Sequence, residues 1–573
     1  MTRIRCKDVL TAVLPVLLIC CLCFLSVLPL RAQNASGVLT GTVLDPSSSV
    51  VPGATVLMKN EQSGDERKTI SNNDGFFSIN AVQPGDYTVT ISAQGFEKYE
   101  TKGVHFDVGD HRNLANIALK VGTTAETVTV AGVAEQLTPV DSGEKSTVIG
   151  QKQMNDIAIY GQNAAEFIKI LPGFAMSNTG NANGASFGSG SQAENTGAGP
   201  VGSFSANGLR TAALDITSDG AHIIDPGCNC GQSVNTVVDM TSEMKVLTSN
   251  FGADNAKGPV VISAVGKSGG SQFHGEAYIY ARNGVLSATN AFNNSEGTNP
   301  LTGMKVAPKP DTSFYYPGGN IGGPVIIPGT NFNHNHDKLF FFLAYERYQQ
   351  TVQDLSHDVF NSVVPTTQWR NGDFSQASIT QVFGSTAGAQ GYALGPAAST
   401  SYVGSTNGVI PSSEFNSIGV TMFAKLFPQA NVNPITNNGY NYIYSTTHSD
   451  NMWQFRPRVD YSINDNTKLF VTFNHQQDLN HDNSTAWWGT NPAVPYPTPL
   501  AQGNYSDSIS VNVTKVFSPT LTNELLFTYT DLYVPFTIPN LSSYTATALG
   551  IGYKHIFNDT VNNQIPVLTG WSD

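Results

Sequence analysis

From Phe273 onward the chain alternates apolar and polar residues with a period of two, in runs long enough to cross a membrane as strands. Ile509, Val511 and Val513 share one face, while Ser508, Ser510, Asn512 and Thr514 share the other. Leu469, Val471 and Phe473 oppose Thr472 and Asn474, and Val459 and Tyr461 oppose Arg456, Arg458 and Asp460. Such dyads turn one row toward an apolar medium and the other toward a wet interior. Strands are expected near 273–282, 313–327, 338–350, 452–462, 467–476, 506–517 and 521–535. Their connections run to about 30, 10, 100, 4, 29 and 3 residues, as when one rim of a barrel has tight turns and the other extended loops. A large soluble β-sandwich also alternates, with its polar face in bulk water. Loop alternation and the tyrosines near strand ends (Tyr278, Tyr280, Tyr345, Tyr348, Tyr529 and Tyr533) favour a transmembrane barrel instead.

The amino terminus fits export. Arg3, Arg5 and Lys7 precede an apolar run from Val9 to Leu30 that leads to Ala32, the pattern of a signal peptide over residues 1–32. An uncleaved anchor is the alternative, and Pro15, Pro29 and the small Ala32 favour cleavage; a lipoprotein site at Cys20 is weakened by bulky Ile19 before it. Only 13% of the 573 residues are charged, against about 25% in ordinary globular chains, which excludes charge-driven disorder. With 30 Lys+Arg against 43 Asp+Glu the net charge is −13, so no nucleic-acid partner is expected. Four of the six cysteines lie in the leader, leaving Cys228 and Cys230, too few for a disulfide scaffold. Their spacing leaves open a small mutual disulfide, and two ligands are too few for a metal.

Residues 36–120 read as a small β-sandwich. Short alternating runs are separated by Pro-Gly, Asp-Gly and Ser-Gly turns; Phe76 and Phe77 open a strand after Asn73-Asp74-Gly75, and Tyr87, Val89 and Ile91 line one face after Pro84-Gly85. "GTVLDPSSSVVPGATVLM", "SNNDGFFSI" and "VQPGDYTVTISAQGF" resemble the carboxypeptidase regulatory-like domain, a transthyretin-like, carbohydrate-binding-like sandwich that is non-catalytic in its family. His105 and His111 lack an accompanying Glu at metal-ligand spacing. Residues 121–135 form a linker whose "ETVTVAG" is a β-prone segment able to add to a sheet edge; the plainer account is one more strand. In residues 136–268, Lys152–Ile170 carries apolar residues at helical spacing and is followed by Pro172-Gly173 and a Gly/Asn/Ser-rich stretch near 177–208.

Taken together these parts resemble a TonB-dependent outer-membrane receptor of the Oar-like type. "EMKVLTSNFGADNAKGPVVISAVGKSGGSQFHGEAYIYARN", "GGNIGGPVII", "KLFFFLAYERYQQ", "VVPTTQWRNGDFS" and "FRPRVDYSINDNTKLF" carry the likeness, which covers nearly the whole chain after the leader. It implies a mainly β protein: the transthyretin-like sandwich, an α+β plug over 136–268, and a partial outer-membrane barrel over 269–573. It also implies that Glu126, Thr127, Val128, Thr129 and Val130 form a TonB box, paired as a strand with a periplasmic energy-transducing protein. The plug apices and the loops 283–312 and 351–451 would meet an extracellular ligand, with peptide, glycan and chelate equally suited to the aromatic content. Plugged transporters have about 22 strands, whereas seven to eight are read here before Asp573, and "TGWSD" is no closing strand; the remainder of the barrel is expected to be missing from this frame. The rival reading is a non-transporting carbohydrate-binding or adhesion protein.

No enzyme and no cofactor are expected. Gly184-Ala185-Ser186-Phe187-Gly188 has the nucleophile-elbow pattern but lies in low-complexity sequence, and Gly266-Lys267-Ser268 has Val261 where a phosphate loop needs glycine. His334, His336 and Asp337 read as polarity of a short turn, and Asp215, Asp219 and Asp225 as loop acids without calcium spacing.

Overall fold

The computed structural model describes most of residues 37–552; residues 1–36, 123–126, 132–142, 177–203, 226–231, 296–311, 353–358, 385–407, 483–499 and 553–573, with shorter gaps, lie outside the description. The leader, Glu126, the elbow-like Gly184–Gly188, Cys228 and Cys230 therefore all fall outside the described residues.

The first unit is the expected sandwich. Strands β1 (Gly37–Leu44), β2 (Thr55–Asn60), β3 (Glu66–Ile70), β4 (Phe76–Val82), β5 (Gly85–Ser92), β6 (Lys98–Phe106) and β7 (His111–Ala118) divide between two sheets. One has the order β4-β1-β7; the other runs β3-β2-β5-β6 and ends on β8 (Thr127–Ala131). Period-two patterning places Leu39, Val43, Val56, Met58, Phe77, Tyr87, Val89 and Ile91 between the sheets. Gly41 makes room for this packing, because a Cβ there would lie 2.7 Å from the Phe77 ring.

The second unit is α+β. A sheet of order β13-β12-β15-β14-β9 joins β9 (Lys145–Gly150), β12 (Asp215–Ser218), β13 (Ala221–His222), β14 (Thr241–Ser249) and β15 (Val261–Gly266). A short ribbon pairs β10 (Phe174–Met176) with β11 (Phe204–Ala206). Phe167, Ile168, Leu214, Ile216, Met244, Val246 and Ile262 form its core. The single helix suggested over 152–170 is two pieces, an α-helix Gln151–Asp156 and a 3-10 turn Ala164–Ile170. Ile157 is extended, and Asn163 starts the second piece afresh by accepting from the Ala165 amide.

The third unit is a wall of seven antiparallel strands: β16 (His274–Asn283), β17 (Thr312–Pro324), β18 (Leu339–Val352), β21 (His448–Asn464), β22 (Thr467–Asp482), β23 (Leu500–Ser518) and β24 (Leu521–Tyr533). A small ribbon of β19 (Val359–Ser362) and β20 (Tyr442–Ser445) lies in the connection after β18, and β25 (Phe536–Thr537) pairs with the start of β23. Residues 325–338 and 465–466 turn at one rim, where β23 is also joined to β24, and 284–311, 353–447 and 483–499 connect strands at the other. Every strand read from the sequence is present, and β21, β22 and β23 run past the expected ends toward the long-loop rim. Their extra residues are largely polar, so pairing continues where hydrocarbon is no longer the solvent.

In-register rows show the two faces of the wall. Phe341, Val459, Val471, Val511 and Phe527 lie side by side across five strands, with Leu339, Tyr461, Leu469, Val513 and Leu525 in the row nearer the short turns. The opposite face carries Arg456, Arg458, Thr472, Asn474, Gln476, Ser508, Ser510 and Asn512, all buried. Of the six strand-end tyrosines, Tyr345, Tyr529 and Tyr533 are exposed on the outer face, whereas Tyr278, Tyr280 and Tyr348 turn inward by strand parity. Replacing fully buried Phe77 with alanine should destabilise the sandwich by about 3–5 kcal/mol. Faster hydrogen exchange over residues 37–120, with unchanged protection of the wall, checks this.

Candidate functional site

Much of the polar face of the wall is covered by the second unit, as the likeness to a plugged receptor implies. Asn235 is held by the wall on both backbone atoms: its amide donates to Gln476 Oε1 at 2.7 Å, and its carbonyl accepts from Gln454 Nε2 at 2.8 Å. Thr530 Oγ1 donates to the His222 carbonyl at 2.7 Å, and Val237 and Met240 pack on Phe342 and Ala344. Tyr280 and Asn320 reach Asp239 from β16 and β17.

The strongest tie is ionic. Asp219, in the tight β12–β13 turn, pairs with Arg456 and lies 3.3 Å from Arg458; all three side chains are almost fully buried. Arg458 also binds Asp460 at 2.8 Å and stacks over Phe470. Arg456 lies against Gly266, where a Cβ would overlap the guanidinium, so the residue read as part of a failed phosphate loop serves as a close-approach point. Asp219 and Asp225 lie in a turn and a loop as read, whereas Asp215 is in β12 and meets His222 at 2.8 Å; all three are buried. The sequence showed Arg456 and Arg458 on a polar face, but nothing local signals a partner 237 residues away. Asp219→Ala should cost about 3–5 kcal/mol, because two buried guanidiniums lose their shared counter-charge. A lowered thermal midpoint of the protein in detergent is the measurement.

The sandwich docks at the short-turn rim. Asp65 binds Lys468 at 2.7 Å, Asn80 donates to Thr522 Oγ1 at 2.7 Å, and the Val108 amide donates to Glu243 of β14. Burial opposes the charge of Asp65, but Lys468 and Arg67 hold its carboxyl below the usual carboxylate range. Glu243 goes the other way: burial and then Asp107 push it up to about 8, with Asp110 adding to the effect and His105 opposing it. His105, bridging Asp107 and Asp86, is itself raised to about 9 by those carboxylates. A carboxyl that binds its proton more tightly when docked favours docking in acid. The contact should be strongest below its ordinary value of 4.5 and weaken as pH rises through about 8. Limited proteolysis of the contact between the sandwich and β14 between pH 5 and 9 should show this, and Glu243→Gln should reduce the dependence.

Thr127, Val128, Thr129 and Val130 lie in β8, parallel to β6, in register from Lys98 opposite Thr127 to Lys102 opposite Ala131. The segment is both a strand and an added edge, on the chain's own sandwich. At the other rim, part of residues 353–447 packs into two apolar clusters. Trp369, Ile379 and Phe383 form one cluster; Val364, Leu426, Phe427, Tyr442 and Ile551 form another. Arg370 ties the helix Thr367–Arg370 to the end of helix Ser417–Leu426 by donating to the carbonyls of Phe423, Phe427 and Pro428. His334, His336 and Asp337 occupy the β17–β18 turn, organised by the Asn333 side chain, which accepts from the amides of Asp337 and Lys338 and donates to the carbonyls of Val325 and Leu339. Among the described residues no group of three His, Cys, Asp or Glu side chains is placed to hold a metal.

Residues 265–570 match the family described as an outer membrane beta barrel domain, and residues 38–120 match the carboxypeptidase regulatory-like domain. The first match covers more than half of the chain, which belongs to the outer-membrane β-barrel family. The TonB-dependent transporter Oar of Myxococcus xanthus is 25% identical over 335 residues, covering 55% of this chain and 27% of that protein. Among solved structures, the outer membrane transporter YddB from Escherichia coli aligns with a TM-score of 0.38 and 9% identity, over 68% of this chain and 39% of that one. The siderophore receptor PirA from Acinetobacter baumannii gives 0.34 and 11%, over 67% and 39%. The chain therefore spans about a quarter of the length of the relative and two-fifths of each of these structures.

Proposed function

We propose that this chain carries the plug and first wall strands of a TonB-dependent outer-membrane transporter, in which Glu126–Val130 is the segment gripped by a periplasmic energy-transducing protein. The observation that carries the reading is a polar wall filled by a separately cored unit, with a β-prone segment just ahead of that unit in the chain. Short turns face the periplasm in outer-membrane barrels, and the sandwich that carries the segment docks at that rim. The outer membrane holds no nucleotide or ion gradient of its own, and main-chain strand pairing grips with little dependence on side chains.

The interface between plug and wall suits movement. It is polar, and Gln454 Oε1, Asn474 Oδ1 and Gln476 Nε2 are buried there without a hydrogen-bond partner among the described residues. Hydration on separation relieves such groups, whereas it would penalise an apolar contact. An extracellular ligand would first meet the folded loop within 353–447 and the connections 284–311 and 483–499. The relatives named are transporters and a receptor, and the reading is non-enzymatic.

Deleting residues 126–130 tests the assignment. Crosslinking in cells should no longer capture the host's TonB-type protein, while heat-modifiable migration of the outer-membrane form stays unchanged. Capture at the native level after the deletion would refute the assignment.

A further inference from the structure

The five-stranded sheet of the sandwich has two unlike edges. At one, β3 begins beside Asp65 and carries Glu66, Arg67 and Lys68; Asp65 is tied to Lys468 of the wall, and Arg67 donates to the Asn80 carbonyl. Charged residues and docking to the rim block further pairing there. The other edge is β8, four strand spacings away, or about 19 Å. Its inner side is hydrogen-bonded to β6, and among the described residues no strand pairs with its outer side. An edge strand of this kind presents a row of backbone donors and acceptors to any extended chain that approaches.

We propose that the periplasmic partner adds its strand to the outer edge of β8 while β8 remains paired with β6, so that sandwich and partner hold the same segment from its two sides. This rests on the reading of Glu126–Val130 as the partner segment and extends it, because it makes the sandwich part of the partner-binding surface. The physical gain is preorganisation. A free linker must lose backbone freedom to become a strand, whereas Thr127–Ala131 has already been ordered by β6. It also sets the path of force. Tension on the partner reaches the β6–β8 ladder and the rim contacts Asp65–Lys468 and Val108–Glu243, as well as the linker leading to β9, the edge strand of the plug sheet.

The test is a lock between the two strands. Glu100 and Thr129 face each other in register, and Glu100→Cys with Thr129→Cys, in a chain with Cys228→Ser and Cys230→Ser, joins β6 to β8 when oxidised. The probe is the purified C-terminal domain of the host's TonB-type protein, titrated against the whole protein in detergent. The oxidised and reduced forms should bind it within twofold of each other, and a synthetic peptide of residues 124–132 should bind at least tenfold more weakly. A tenfold or greater loss on oxidation, restored by reductant, would show that the segment must leave β6; the proposal would fail and the assignment of the segment would stand. A peptide as tight as the whole protein would show that the sandwich contributes nothing, and would also overturn it. Binding that is unaffected by Val128→Pro in the reduced chain would show that the partner docks elsewhere, and both readings would fall.

Discussion

Within hydrocarbon there is no water to satisfy an amide or a carbonyl, so a strand that crosses it must be paired on both sides by other strands. This constraint organises the wall. It accounts for the unbroken antiparallel ladder from β16 to β24 and for the uniform apolar rows that the ladder brings into register. It also creates a second problem, because strands that alternate faces must present polar side chains inward. The α+β unit supplies partners for Arg456, Arg458 and Gln476, while Asn474 donates to Ser508 within the wall itself.

The way it supplies them differs from the packing inside that unit. Its own core is aliphatic and aromatic, the kind of interior that resists opening. Its contact with the wall is instead built from single hydrogen bonds, one buried ionic cluster and a small apolar patch around Phe342. A buried ion pair contributes little net stability against a well-packed apolar alternative, but it fixes registry, since either charge alone is severely penalised. The plug is therefore positioned sharply by Asp219 while the rest of its boundary remains polar. The sandwich follows the same pattern at the rim, where Asp65–Lys468 and Val108–Glu243 are few, specific contacts. At the opposite rim the loop between β18 and β21 is tied together by Arg370 and two apolar clusters, one of which takes in Ile551 from beyond β24.

Much of this was legible in the chain. Period-two alternation in 452–476 and 506–517 told which residues face lipid and which face inward, since side-chain direction in a strand is a local property. Turn chemistry at Asn73-Asp74-Gly75 and Pro84-Gly85 placed the sandwich strands, and Tyr87, Val89 and Ile91 are buried together as read. Even the inward turn of Tyr348 against the outward turn of Tyr345 follows from parity. The helical spacing over 152–170 misled, because apolar spacing does not register the extended residues Ile157 and Asn163 that end one piece and start the next.

What no local pattern could supply was which distant group meets which. Asp219 reads as a loop acid in the sequence, and only the wall brings Arg456 and Arg458 to it; only docking of the sandwich brings the Val108 amide to Glu243. The linker strand is the clearest case. Its β tendency lies in the alternation of Thr127, Val128, Thr129 and Val130, but pairing with β6 depends on an edge that exists only once the sandwich has formed. Alternation and turn residues act over two to four positions and survive in the linear chain, whereas charge pairing and edge pairing depend on distances that arise only when whole units dock.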